Sequence, residues 1–198
     1  MLYINQLDYP HIPYITRTSM QGEDYEWGQK TTIRSSGCGL CAAVMAADRL
    51  LPNAEFTLEQ AVELSYQSGA NTTVGTNYSC FAPVFAKKFG LKLLASMDVE
   101  DLQNCLRTGG VAVVLVRGDR KEQKGLFTKR GHYMTVIGEE PDGRLAILDP
   151  SYKPGKFDDP AHQGKVEMKN GVIALCSPEV LEEEAKPNWM HYYLFWRR

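Results

Sequence analysis

The stretch that most constrains this chain is Val111-Ala-Val-Val-Leu-Val116, followed by two further runs, His132 to Glu139 and Arg144 to Asp149, joined around Pro141-Asp142-Gly143. The first run is almost wholly aliphatic and short, which suits a strand buried on both faces. The next two flank a turn signal and predict an antiparallel hairpin. Ahead of them the pattern is helical. After the cap-like cluster Ser35-Ser36-Gly37, an Ala-, Val- and Met-rich run to Leu51 predicts a helix that Pro52 ends. Its small residues Ala42, Ala43, Ala46 and Ala47 predict burial against neighbours. A second helix starts at Thr57, with Gln60 placed as in a capping box. A third covers residues 79–89 and stops at Gly90, a short strand follows at 91–94, and a fourth helix spans 99–106 behind Asp98 as its cap. Helices first and strands later indicate an α+β fold.

The first 33 residues read as loop with room for one short strand, and residues 118–130 and 150–170 read as a charged loop and a Pro-, Gly- and Asp-rich loop. A strand at 172–175, a short acidic helix opened by Ser177-Pro178-Glu179 and a final strand within Met190 to Trp196 complete the expectation. The 198 residues suit a single domain over 1–198, with a helical half at about 34–108 and a sheet half at about 109–198. A net charge of −2 gives no reason to expect a nucleic-acid partner or an anionic membrane surface. Residues 111–116 are the longest aliphatic run, far short of the roughly 20 residues that span a bilayer. The opening MLYINQLDYPHIPY shows no signal peptide, so a complete chain is expected in the cytoplasm, although a chain trimmed of an export signal would read the same. Oligomeric state is not legible.

The five cysteines, Cys38, Cys41, Cys80, Cys105 and Cys176, are odd in number and irregularly spaced, so they do not form a disulfide framework. Cys38 and Cys41 allow four readings. Both could be buried core residues. They could be a redox pair, but that motif follows a strand and the preceding segment here is polar. They could be half a zinc site, but no second such pair exists in the chain. Or one is a nucleophile: the unpaired N–H groups and positive dipole end at a helix start stabilise a thiolate. Gly37 and Gly39 would then let a substrate backbone approach closely.

A thiol nucleophile needs a base. His11, His162 and His191 lie in irregular or aromatic surroundings, whereas His132 directly follows Gly131 and opens an apolar strand. If Glu139 pairs with Arg144, then Met134 faces Asp149 and His132 faces Ser151. Side chains alternate with period two, so His132 and Asp149 share a face as diagonal neighbours, within reach of each other.

The order Cys38, His132, Asp149 resembles that of papain-like cysteine peptidases, and most closely the branch of bacteriocin-processing (double-glycine leader) peptidases, the peptidase C39-like family. The likeness is carried by "INQLDYP", "TTIRSSGCGLCAAVMA", "LEQAVELS", "FAKKFGL", "VEDLQNCLRTGGVAVVLV", "RGHYMTVIG" and "LAILDPS", in order over about residues 3–151. Leu40 stands where the family usually has proline. The resemblance implies a papain-like fold, with the N-terminal helical half packed on a C-terminal antiparallel β-sheet, and a peptide or peptide-like substrate cleaved without metal or organic cofactor. On matching positions, Cys38 would be the nucleophile, His132 its base, Asp149 the group orienting His132, and Gln6 the side-chain donor to the oxyanion. Cys41 is the rival nucleophile and Gln29 the rival donor. A peptide-binding relative without catalysis, or a thiol–disulfide oxidoreductase using Cys38 and Cys41, are the alternatives.

Overall fold

Most helices start where a side chain caps them. Thr57 Oγ1 accepts from the Gln60 N–H at 3.3 Å and Gln60 Oε1 accepts from the Thr57 N–H at 3.2 Å, the reciprocal box expected from the sequence. Asn77, Asp98 and Ser177 cap three more helices. The computed structural model describes residues 1–15, 32–72, 75–121 and 123–198. In chain order its elements are a 3-10 turn (Gln6–Asp8), α1 (Ile33–Ser36), α2 (Cys38–Leu50), α3 (Leu58–Gln67), β1 (Asn71–Thr72), β2 (Gly75–Thr76), α4 (Tyr78–Phe89), β3 (Lys92–Ser96), α5 (Val99–Arg107), β4 (Val111–Val116), β5 (His132–Glu139), β6 (Leu145–Leu148), a second 3-10 turn (Pro160–His162), β7 (Glu167–Lys169), β8 (Ile173–Cys176), α6 (Pro178–Ala185) and β9 (Tyr192–Trp196). Among the described residues no helix is long and apolar enough to cross a membrane.

The architecture is the expected α+β arrangement. Seven strands form an antiparallel sheet in the order β3-β9-β4-β5-β6-β8-β7, and β1 and β2 pair separately. The C-terminal strand β9 returns between β3 and β4, which draws residues 92–96 from the helical stretch onto the sheet edge. Val111 and Val113 face the apolar cluster built with α2, α3 and α4, while Ala112, Val114 and Val116 face a second cluster with α5 and α6. A sheet covered on both faces explains why β4 shows no polar alternation.

Besides the short β1–β2 pair, three local features differ from the sequence-based expectation. Ser35 and Ser36 do not cap α2. They form the single turn α1, in which Ser35 Oγ accepts from the Thr32 N–H at 3.3 Å, and Gly37 joins α1 to α2. The 150–170 loop contains the short edge strand β7 and a 3-10 turn. The hairpin register also differs near its turn, where Glu139 pairs with Leu145 rather than Arg144. The turn holds one more residue than assumed: the Gly143 N–H donates to Glu140 O at 2.9 Å, with Gly143 at φ 85°, a conformation that favours glycine. A bulge between Val136 and Gly138 cancels that extra residue, and Thr135 pairs with Leu148. Continued outward, this register sets Met134 opposite Asp149, as expected.

Helix α2 is packed between the sheet and the other helices, and its four small alanines are fully buried, which lets it lie close on β5. Thr135 Oγ1 donates to Ala42 O at 2.9 Å and Arg49 Nε donates to Ile137 O at 3.4 Å, so α2 and β5 run in the same sense. Stepping back from the Thr135–Ala42 contact reaches Cys38 one helical turn away, roughly 6 Å, and His132 three strand residues away, roughly 10 Å. The start of the helix and the start of the strand therefore meet at one end of the sheet.

Candidate active site

The N-terminal segment is strapped along the turn that follows β6. Tyr3 Oη donates to Asp149 O at 2.8 Å, Asn5 Nδ2 to Tyr152 O at 2.6 Å, and the Gln6 N–H to Pro150 O at 2.7 Å. These bonds hold the buried Gln6 side chain at the cleft that also exposes Cys38. Gln6 Nε2 donates to Arg34 O at 2.9 Å, which leaves the second hydrogen of that amide free for another acceptor. Gln29 lies outside the described residues.

Cys38 is the first residue of α2, and its amide N–H has no acceptor among the described residues. Burial pushes its thiol up, but the hydrogen bond and charge of His132 outweigh burial, helped by the backbone at Tyr133 and Gly39, and the net shift is downward. The two glycines serve packing rather than substrate approach, contrary to expectation. A Cβ on Gly37 would lie 2.7 Å from Ile33 Cα, and one on Gly39 would lie 3.0 Å from Thr76 Cβ and 3.1 Å from Tyr78 Cε2. Tyr78 Oη also donates to Gly39 O at 2.8 Å. Gly37→Ala is therefore expected to push α1 from α2, with a loss of about 1–3 kcal/mol in urea unfolding. Unchanged stability would mean that this junction yields easily.

His132 Nε2 lies 2.8 Å from Asp149 Oδ1, both side chains being buried, so Nδ1 is the ring nitrogen left for Cys38. Burial alone would lower the imidazole pKa, but the Asp149 carboxylate, joined by Cys38, raises it to about 9. Burial would likewise raise Asp149, yet His132 and Lys156 hold it well below the usual carboxylate range. Ser151 and Lys156 hold this pair in place. Asp149 Oδ1 accepts from the Ser151 N–H at 2.8 Å, Ser151 Oγ sits 3.1 Å from His132 Nε2, and Lys156 Nζ donates both to Asp149 Oδ2 and, at 2.9 Å, to Ser151 Oγ.

Four residues singled out from sequence, Cys38, His132, Asp149 and Gln6, thus come together, three of them lining a cleft of about 570 Å³ with Asp149 behind His132. Cys41 is buried and outside the lining, and burial raises its thiol well above the ordinary range. Burial also raises Cys105 and Cys176, each to about 12. His11 is exposed and His191 donates from Nδ1 to Asn188 O at 3.0 Å, both away from the cleft lining. Among the described residues no group of three His, Cys, Asp or Glu is arranged to hold a metal ion. Sequence reasoning missed Lys156. Its signal was Pro154-Gly155, a turn that folds the chain back toward Asp149, with Gly155 at φ 81°.

No family model matches the chain, and no curated protein matches it. Among solved structures, the peptidase domain of Streptococcus ComA, a bi-functional ABC transporter involved in a quorum-sensing pathway, superposes with a TM-score of 0.51 at 16% identity, over 93% of this chain and 99% of that one. A candidate C39-like peptidase from Bacillus anthracis superposes with a TM-score of 0.54 at 11% identity, over 95% of this chain and 96% of that one. At such identities the likeness is one of architecture: the chain has the papain-like fold of C39 peptidase domains.

Proposed function

We propose that the protein is a cysteine peptidase that cleaves a peptide or related amide bond through an acyl-enzyme. The observation that carries this reading is a thiol at a helix start sharing a cleft with an imidazole that a buried carboxylate orients at 2.8 Å. Cys38 Sγ attacks the scissile carbonyl carbon while its proton resides on His132 Nδ1. The carbonyl oxygen takes up the negative charge, facing the free amide of Cys38 and the remaining N–H of Gln6 Nε2. Collapse breaks the C–N bond, and the imidazolium gives its proton to the leaving amine. A water molecule, deprotonated by the same imidazole, then hydrolyses the thioester and regenerates the thiol. The peptidase fold of the neighbouring structures supports a peptide substrate.

The test is the pH dependence of iodoacetamide labelling at Cys38, followed by mass spectrometry. With the thiol held down by His132, the labelling rate is expected to reach half its maximum well below the roughly 8.5 of a free thiol. A midpoint at or above 8.5 would remove the thiolate that this mechanism needs.

A further inference from the structure

A second cavity of about 650 Å³ opens beside the catalytic cleft, between residues 124–129 and the turn after β6. The two cavities share Thr128, Lys129 and Ser151 as lining. We infer that this second cavity is a subsite for a carboxylate, the side chain of Asp or Glu or a C-terminal carboxylate, on the leaving-group side of a peptide substrate. The inference rests on the peptidase reading.

The walls show the chemistry. Lys124, Lys129, Lys153, Lys156 and His162 line the cavity against Asp119 and Asp159. The acids are already engaged: Asp159 Oδ2 accepts from Lys124 Nζ at 2.9 Å and Asp119 Oδ1 from the Gly125 N–H at 3.0 Å. Lys156 is taken by Asp149. Lys129 and Lys153 have no carboxylate partner among the described residues.

His162 stands at the inner wall of this cavity. The residue lines the cavity while only 8% exposed, and its two ring nitrogens are closed off from solvent with no hydrogen-bond partner among the described residues. A buried imidazole always carries at least one N–H, and leaving such a donor unmet is unfavourable, so a ligand that turns the ring toward the cavity would satisfy it. A carboxylate would be attracted by Lys129 and Lys153 and, with the ring turned toward it, would accept from that N–H. A neutral amide meets the same N–H without the attraction, and an aliphatic side chain offers neither.

The side of the scissile bond follows from the chemistry. His132 must hand its proton to the leaving nitrogen, so the chain beyond that nitrogen passes over the imidazole. Ser151, whose Oγ lies 3.1 Å from His132 Nε2, also lines the second cavity. A chain leaving over His132 therefore enters this cavity next.

The experiment compares Glu with Gln at each position of a positional-scanning peptide library. Cleavage by the parent is read by mass spectrometry. Binding of fluorescein-labelled sublibraries to Cys38→Ala is read by anisotropy, which needs no turnover. A Glu over Gln preference of roughly tenfold in kcat/KM is expected at one position on the leaving-group side. It should shrink to about twofold in the paired Lys129→Gln, Lys153→Gln variant, whose sites are exposed, and in His162→Phe if that variant folds. Cleavage with no such preference, a preference on the acyl side, or a preference untouched by the lysine pair would overturn the subsite and leave the peptidase reading standing. A Glu preference in binding to Cys38→Ala, sensitive to the lysine pair, with no peptide cleaved by the parent, would support the anion subsite and overturn the peptidase reading.

Discussion

Cys38→Ala is expected to lose peptide hydrolysis by at least about 10³-fold, since without the nucleophile only binding and oxyanion stabilisation remain. The protein should still fold, because Cys38 sits half-buried at the start of α2 rather than inside it. Cys41→Ser makes the informative partner. Cys41 is fully buried one turn into the helix, and its thiol is pushed up rather than down. Placing a hydroxyl there is expected to lower stability by roughly 1–2 kcal/mol while leaving turnover per folded molecule within a few-fold. A redox pair predicts the reverse, with Cys41→Ser as damaging as Cys38→Ala and a reversible disulfide between the two. Iodoacetamide labelling by mass spectrometry and a peptide cleavage assay on the three proteins separate these outcomes. Hydrolysis that persists in Cys38→Ala would rule out the proposed nucleophile.

The order of elements was legible because each depends on local chemistry. Thr57 and Gln60 form their box, Asp98 caps α5, and Gly90 stops α4 at φ 63°. What escaped were features set by distant parts of the chain. Strand β7 has no apolar run of its own and exists because β8 offers it an edge. Ser35 and Ser36 look like caps, yet the contact between the N-terminal segment and α1 draws them into a separate turn, with the Arg34 N–H donating to Tyr9 O at 3.2 Å. A turn one residue shorter predicts the same facing of His132 and Asp149, because the bulge at Ile137 offsets the difference. Register beyond a bulge is a tertiary property, and a period-two pattern cannot show it. Lys156 was hidden for a related reason: a lysine in a polar loop shows its role only once the turn at Gly155 brings it onto Asp149.

Asp149→Asn is expected to cut kcat/KM by on the order of 10² to 10⁴-fold and to change its pH profile. An amide can hold His132 by hydrogen bond but supplies no charge, so the imidazole pKa should fall from about 9 toward or below its ordinary value near 6.5. The alkaline limb of the rate profile, where His132 loses the proton destined for the leaving amine, should move down with it. Lys156→Met should move that limb the opposite way, because it removes a cation that draws on the same carboxylate. A lysine serving only to pack the loop would lower the rate without moving the limb. The same pair predicts a stability profile. His132 has its folded pKa raised, so its contribution is full below about 6.5 and is lost as pH rises through about 9. Asp149 has its folded pKa depressed, so its contribution is full above about 3.9 and is lost as pH falls toward the folded value. Both contributions are complete only between about pH 4 and 6.5. Urea unfolding of the parent should therefore show a maximum in that window that is flatter in Asp149→Asn. If the two proteins lose stability in parallel above pH 7, the charge of Asp149 is not what sustains the imidazolium, and the orienting role falls with it.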